Sequence, residues 1–142
     1  MRTKPLSIHS PEEARAAILS HYPDAATPSG ATWCLLLDQQ AQAVGFRKLI
    51  RDVSKAPSLR SLIMSCLSKK ADRLVFLNTV PPGTSPVPGP HEIERNAHLK
   101  HSLAAFSIYI TDIIIVSGKE MFSYYQEKVS RLKKDSHGKT DS

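Results

Sequence analysis

The stretch FLNTVPPGTSPVPGPHE, from Phe76 to Glu92, decides the fold because it joins a buried-looking strand to a helix. It contains five prolines, and no Lys, Arg, Asp or His precedes His91. Proline fixes the backbone φ angle, so this loop is stiff. In α/β folds the chemistry usually lies at such strand ends. The loop therefore predicts a fixed shape at a strand end, without the side chains of an evident catalytic site.

The patterns on either side of the loop predict an α/β or α+β domain with a mixed β-sheet flanked by helices. Four apolar runs predict strands, and a shorter segment predicts a fifth: TWCLLLD, AVGFRKLIRDV, RLVFLNT, IYITDIIIVSG and KEMFSYYQE. The first two are joined by a short polar link and predict an antiparallel hairpin. In the second run, the side chains of Val44, Phe46 and Leu49 are expected to point toward the core.

Three segments carry helix signals. Ser10 and Glu13 form a Ser-x-x-Glu capping box at the start of the first helix, with Pro11 at its first position. Ser58 is the expected cap of the helix within KAPSLRSLIMSCLSKKADR. Gly89 and Pro90 mark the start of a third helix after the proline loop.

Composition predicts one soluble, cytoplasmic domain without membrane contact. Of 142 residues, 41% are hydrophobic, and no apolar run approaches the ~20 residues that a membrane span needs. The segment MRTKPLSIHSPEEA lacks the apolar stretch of a secretory signal. Cys34 and Cys66 lie in apolar contexts and are expected to be buried, reduced thiols.

The net charge of +6 leaves two interpretations open. A basic excess favours attraction to nucleic acid. A solvated surface that keeps the protein soluble is the other interpretation, and the aromatic residues are too scattered to indicate a base-stacking platform.

Three segments resemble, in order and spacing, the RadC-like branch of the JAB/MPN domain family, a zinc-dependent, deubiquitinase-like fold. They are LLLDQQAQAVGFR, SLRSLIMSCLSKKADRLVFLNTVPPGTSPVPGPHE and TDIIIVSGKEMFSY. The resemblance implies a JAB/MPN, cytidine-deaminase-like architecture. It covers about residues 28–127, so we expect a helical extension over 1–27 and a basic, frayed tail over 128–142.

The resemblance implies a zinc ion and its water, organised by a Glu, two His and an Asp. These four positions fall on Arg47, Asn78, Val80 and Glu92, and a Ser of the family's loop falls on Gly89. A catalytic zinc needs about three protein ligands, and these residues do not supply them. We therefore expect a vestigial cleft with no catalytic residue, no metal and the family's zinc lost. Arg47 either faces solvent or forms a salt bridge with Glu92 across that cleft.

The resemblance leads to a non-catalytic RadC-like JAB domain that acts as a binding or accessory module. A link to DNA repair rests on the family name alone. The partner is an unspecified protein or nucleic acid, and homo-oligomerisation is left open. The alternative is a divergent metal-dependent hydrolase, isopeptidase- or peptidase-like, with ligands recruited from His91, Glu92, His98 or His101. Asp112, among isoleucines, is expected either to satisfy backbone donors at a strand end or to pair with a Lys.

Overall fold

A five-stranded mixed sheet lies between helices in the computed structural model, which describes residues 6–50, 53 and 55–140. The strands are β1 (Thr32–Leu37), β2 (Ala43–Leu49), β3 (Arg73–Val80), β4 (Tyr109–Ser117) and β5 (Glu120–Ser123). The helices are α1 (Pro11–His21), α2 (Ala56–Lys69), α3 (Pro90–Ala104) and α4 (Tyr124–Thr140), with a 3₁₀ turn at Pro23–Ala26. The predicted mixed sheet flanked by helices is confirmed.

The strand order β2-β1-β3-β4-β5 places the proline loop at the carboxyl edge of the parallel pair β3 and β4. β1 pairs antiparallel with both β2 and β3, and β5 pairs antiparallel with β4. β3 and β4 run parallel, and Val80 pairs with Ser117 at their carboxyl ends. Open sheets bind ligands at such edges.

Two apolar layers hold the sheet. Alternate side chains of a strand point to opposite faces, so the continuous run of β1 serves both layers. One layer packs α2 and α3 on the sheet, and its members include Cys34, Leu36, Leu62, Cys66, Leu99 and Leu103. The other packs α1 on the opposite face, and its members include Ala14, Ile18, Trp33, Leu35, Leu77 and Ile114. Within the described residues no helix is long and apolar enough to cross a bilayer.

Two of the three predicted helix starts are confirmed. The Glu13 amide donates to Ser10 Oγ at 3.1 Å, and Gly89 precedes Pro90 at the start of α3. The predicted cap at Ser58 is wrong, because α2 already begins at Ala56 and Ser58 lies inside its first turn. Pro57, whose φ angle is preset for a helix, occupies that first turn.

A β-bulge changes the expected pattern of β2. The pairing with β1 shifts register between Leu36 and Leu37. Val44 and Leu49 pack on the α2 side of the sheet, whereas Phe46 packs on the α1 side. The expectation that these three residues share an inward face is wrong. The bulge at Val44 places Val44 and Phe46 on opposite faces, and Phe46 and Leu49, three residues apart in a regular stretch, point to opposite faces by ordinary alternation.

The carboxyl-terminal segment is helical where a strand and a frayed tail were expected. β5 pairs with β4 over Glu120–Ser123 only, and α4 continues from Tyr124 to Thr140. The Ser123 hydroxyl accepts a hydrogen bond from the Gln126 amide at 3.1 Å. This capping interaction satisfies a helix donor and ends the strand.

The buried carboxylate of Asp112 fixes the start of α4. Its Oδ1 accepts from the amide of Tyr125 at 3.0 Å, and its Oδ2 accepts from Ser123 Oγ at 2.7 Å. Burial raises the pKa of Asp112, and the hydrogen bonds from Ser123, Tyr125 and Ile113 oppose that rise. Of the two roles expected for Asp112, the structure shows the first: its carboxylate accepts hydrogen bonds from backbone amides.

Replacement of Asp112 by Ala should lower the free energy of unfolding by about 1–3 kcal/mol, because buried donors lose their acceptor. Asp112→Asn retains an acceptor oxygen and should cost less. Urea unfolding of both variants measures the difference. Equal losses would contradict a hydrogen-bonding role.

The wild type and Asp112→Asn also provide a test of pH dependence. A pKa that is higher in the folded state favours the protonated form, so its contribution is present at low pH and is lost as pH rises through the folded pKa. The stability of the wild type relative to Asp112→Asn should therefore fall as the pH rises above about 4, the ordinary pKa of an aspartate. A constant difference as the pH rises would contradict the raised pKa.

Candidate functional site

A cleft of about 390 Å³ opens at the carboxyl end of β3, between the start of β1 and α3. We call it the β3 cleft. Its apolar floor includes Phe76, Leu99 and Ile113, all of them buried. Its polar rim includes Thr32, Asn78, Glu92, Arg95 and Asn96.

Three of the predicted vestigial positions meet in the β3 cleft. Asn78 and Val80 are two residues apart on β3, so their side chains point to the same face, and both line the cleft with Glu92. Thr32 lies opposite Asn78 in the β1–β3 pairing, and its hydroxyl donates to Asn78 Oδ1 at 2.8 Å. Gly89 is the residue before α3 and does not line the cleft.

Arg47 lies elsewhere, so the expected convergence of four side chains is wrong for this residue. Its guanidinium donates to the carbonyl oxygen of Ser61 at 3.1 Å and to Ser65 Oγ, which holds it against α2. It lines a separate groove between β2 and α2, which we call the β2–α2 groove. Neither the solvent-facing position nor the salt bridge with Glu92 is observed.

The strand register explains the position of Arg47. Arg47 pairs with Cys34, whereas Leu49 pairs with Thr32, which in turn pairs with Asn78. Leu49 is therefore the β2 residue in the same row as Asn78, and the next residue, Ile50, lines the cleft. Counting along the sequence from Asp38 could not locate this row, because the bulge alters the register.

The three histidines proposed as recruited ligands are exposed on α3. His91, His98 and His101 all have accessible side chains. Across the part of the chain that the structure describes, no group of three or more His, Cys, Asp or Glu side chains is placed to hold a metal ion.

Sequence reasoning missed the polar residues that border the cleft from α3. Asn96 lies one turn after Glu92, so both point to the same side of the helix. Asn96 Nδ2 donates to the hydroxyl oxygen of Tyr124 at 2.8 Å and so links α3 to α4. Burial raises the pKa of Tyr124, the Asn96 hydrogen bond lowers it, and the charge of Glu92 raises it. The four-residue spacing was the available signal for Asn96.

The donor set of the cleft does not fit a catalytic zinc ion. The amide oxygen of Asn78 already accepts from Thr32, and Val80 has no lone pair. Glu92 contributes one carboxylate, whereas a catalytic zinc takes about three protein ligands and a water molecule.

The two cysteines are free and buried, as predicted. Cys34 and Cys66 belong to the apolar layer between the sheet and α2. Burial raises the pKa of Cys34 well above its ordinary value and that of Cys66 to about 11. The positive charge of Arg47 lowers both pKa values in part. Thiols with raised pKa values are weak nucleophiles at neutral pH, so these residues have a packing role.

Replacement of Arg47 by Gln should lower the free energy of unfolding by about 1–2 kcal/mol, because hydrogen bonds from a charged group to α2 are lost. Arg60→Gln is the matched control, because Arg60 is an exposed residue of α2. Its substitution should change the free energy of unfolding by less than about 0.5 kcal/mol. Urea unfolding compares them. Equal small effects would contradict the anchoring role of Arg47.

Comparison with known proteins identifies the family. The RadC-like JAB domain matches residues 8–129. A UPF0758 protein from Coxiella burnetii (strain Dugway 5J108-111) is 32% identical over 97 residues, which covers 64% of this chain and 41% of the relative. The chain thus spans less than half the length of that relative. The family match covers most of the chain and agrees with the mixed sheet and its helices, and the chain therefore belongs to the RadC-like JAB domain family.

Proposed function

We propose that this RadC-like JAB domain is a non-catalytic binding module. The observation that carries the proposal is the presence of Asn78 and Val80 where the family resemblance implies two zinc-binding histidines. A link to DNA repair has only the family name behind it.

The bonding of Asn78 supports this proposal. An amide is a poor zinc ligand beside imidazole. The Thr32 hydroxyl, at 2.8 Å, already uses one of the two lone pairs of the Asn78 oxygen. Beside this poor ligand, Glu92 would offer the metal one carboxylate.

The walls of the β3 cleft support a role in binding. A concave site with an apolar floor and a few convergent polar groups is typical of ligand sites, and about 390 Å³ lies at the small end of their range. Phe76, Leu99 and Ile113 supply the floor, whereas the rim offers amide, hydroxyl and carboxylate groups. A short polypeptide segment of a partner protein fits this chemistry.

The proline loop supports the same role because it is held in place. The Ser117 hydroxyl lies within hydrogen-bond distance of the carbonyl oxygens of Pro81 and Thr84 and donates to one of them at a time. Pro86 and Pro88 are buried, whereas Val87 between them is 61% exposed. A loop ordered before binding loses less entropy when a partner docks.

The double variant Asn78→His/Val80→His tests the assignment of these positions. Two imidazoles beside Glu92 would supply about three ligands, so this variant should bind one zinc ion, while the wild type should bind none. Isothermal titration calorimetry with zinc measures both. Adding Glu92→Ala to the double variant should weaken zinc binding markedly.

Two results would contradict the proposal. Stoichiometric zinc binding by the wild type that is lost in His98→Ala would favour the metal-dependent hydrolase with recruited ligands. Failure of the folded double variant to bind zinc would mean that Asn78 and Val80 do not occupy the family's ligand positions.

A further inference from the structure

The positive charge of the chain is concentrated in one segment. Residues 43–70, from β2 through α2, contain seven Lys or Arg residues and one Asp, which accounts for the whole net charge of +6. The remaining 114 residues are balanced in charge. Such an asymmetry is typical of a surface that attracts a polyanion.

The β2–α2 groove brings part of this charge together in a recess of about 720 Å³. Arg47 and Lys69 line it on the α2 side of β2, and Lys48 lines it from the α1 side, over the Trp33 ring. No carboxylate side chain is among the described residues that line it. β2 is one of the two edge strands of the sheet, and within the described residues only the bridge from Ser7 to Gln42, just before β2, pairs along its outer side.

One face of α2 adds hydroxyl groups to the cations. Ser61, Ser65 and Ser68 follow a spacing of four and three residues, so they lie on one side of the helix, and all three line the groove. Ser61 and Ser65 also hold the guanidinium of Arg47 in place. Phosphate oxygens accept hydrogen bonds from groups of both kinds, Arg or Lys and Ser.

Apolar and aromatic side chains lie in the same groove. Phe46 and Tyr22 line it from the α1 side of the edge strand β2, whereas Met64, with 60% of its surface exposed, lies on the α2 side. Phe46 stacks on His21 with ring centroids 4.2 Å apart, so His21 covers one face of its ring and fixes its orientation. Nucleobases pack on side chains of this kind when they are not paired in a duplex.

We propose that the β2–α2 groove binds single-stranded nucleic acid. Arg47, Lys48, Lys69 and the α2 serines contact the phosphates, and the bases pack on the aromatic and Met64 surfaces. A duplex keeps its bases inside and would leave these apolar surfaces unused, which favours the single strand. The inference does not rest on the loss of zinc from the β3 cleft.

Salt dependence provides the first test. A labelled oligodeoxythymidine of about 12 nucleotides is long enough to span a typical single-strand site. Its fluorescence anisotropy measures the affinity of the protein for it. Three phosphate contacts predict a slope of about −2 for log affinity against log salt, so affinity should fall about 20-fold between 50 and 200 mM. No binding, or binding that is insensitive to salt, would overturn the proposal.

The variant Lys48→Gln/Lys69→Gln provides the second test. Losing two phosphate contacts should lower affinity by about tenfold and bring the slope to about −0.7. Lys100→Gln/Lys119→Gln removes the same charge outside the groove and should change affinity by less than about threefold. Lys48 also lies over the Trp33 ring at 4.9 Å, so Lys69→Gln alone serves if the double variant is unstable, with a slope of about −1.4 expected.

Three outcomes of these measurements would overturn the proposal. Equal losses in the groove and control variants would indicate general charge attraction. Tighter binding of a duplex of the same length would contradict the packing of bases in the groove. Equal affinity for a labelled poly-glutamate peptide would indicate an acidic polypeptide partner instead.

Discussion

The hydrogen bond from the Thr32 hydroxyl to the amide oxygen of Asn78 is the interaction on which this account depends. It joins the start of β1 to the end of β3 at the mouth of the β3 cleft. The oxygen that faces the cleft thereby has a partner from the chain itself, and its polarity is satisfied without an ion. A buried or half-buried polar group that is left unpaired costs about 1–3 kcal/mol, so this bond helps to fix the shape of the cleft.

Near this bond, Ser117 holds the proline loop at the carboxyl edge of the sheet, and Asn96 joins α3 to Tyr124. Asp112, in the amino-terminal half of β4, holds the start of α4. The shape at this edge is thus set by hydrogen bonds, and a stiff loop of prolines needs few of them because its φ angles are already restricted.

Apolar periodicity and the proline loop are local signals, and they predicted the sheet and its flanking helices. The choice of Asn78, Val80 and Glu92 as positions of one cleft came from the family resemblance. The sequence could not locate Arg47. A β-bulge shifts the register of β2, and register depends on pairing between strands rather than on spacing along one strand. The sequence also did not predict that the polar face of α2 contacts Arg47. Serines at a helical spacing do not indicate a contact unless the residue that packs against them is known.

The thermal unfolding of the wild-type protein with excess zinc, compared with the same protein in a chelator, tests the central claim most directly. A ligand present at 100 times its dissociation constant stabilises the native state by about 2.7 kcal/mol, which raises the melting temperature by several degrees. If the β3 cleft binds no zinc, the melting temperature should be the same in both solutions. A rise of several degrees with zinc that disappears in Glu92→Gln would contradict it.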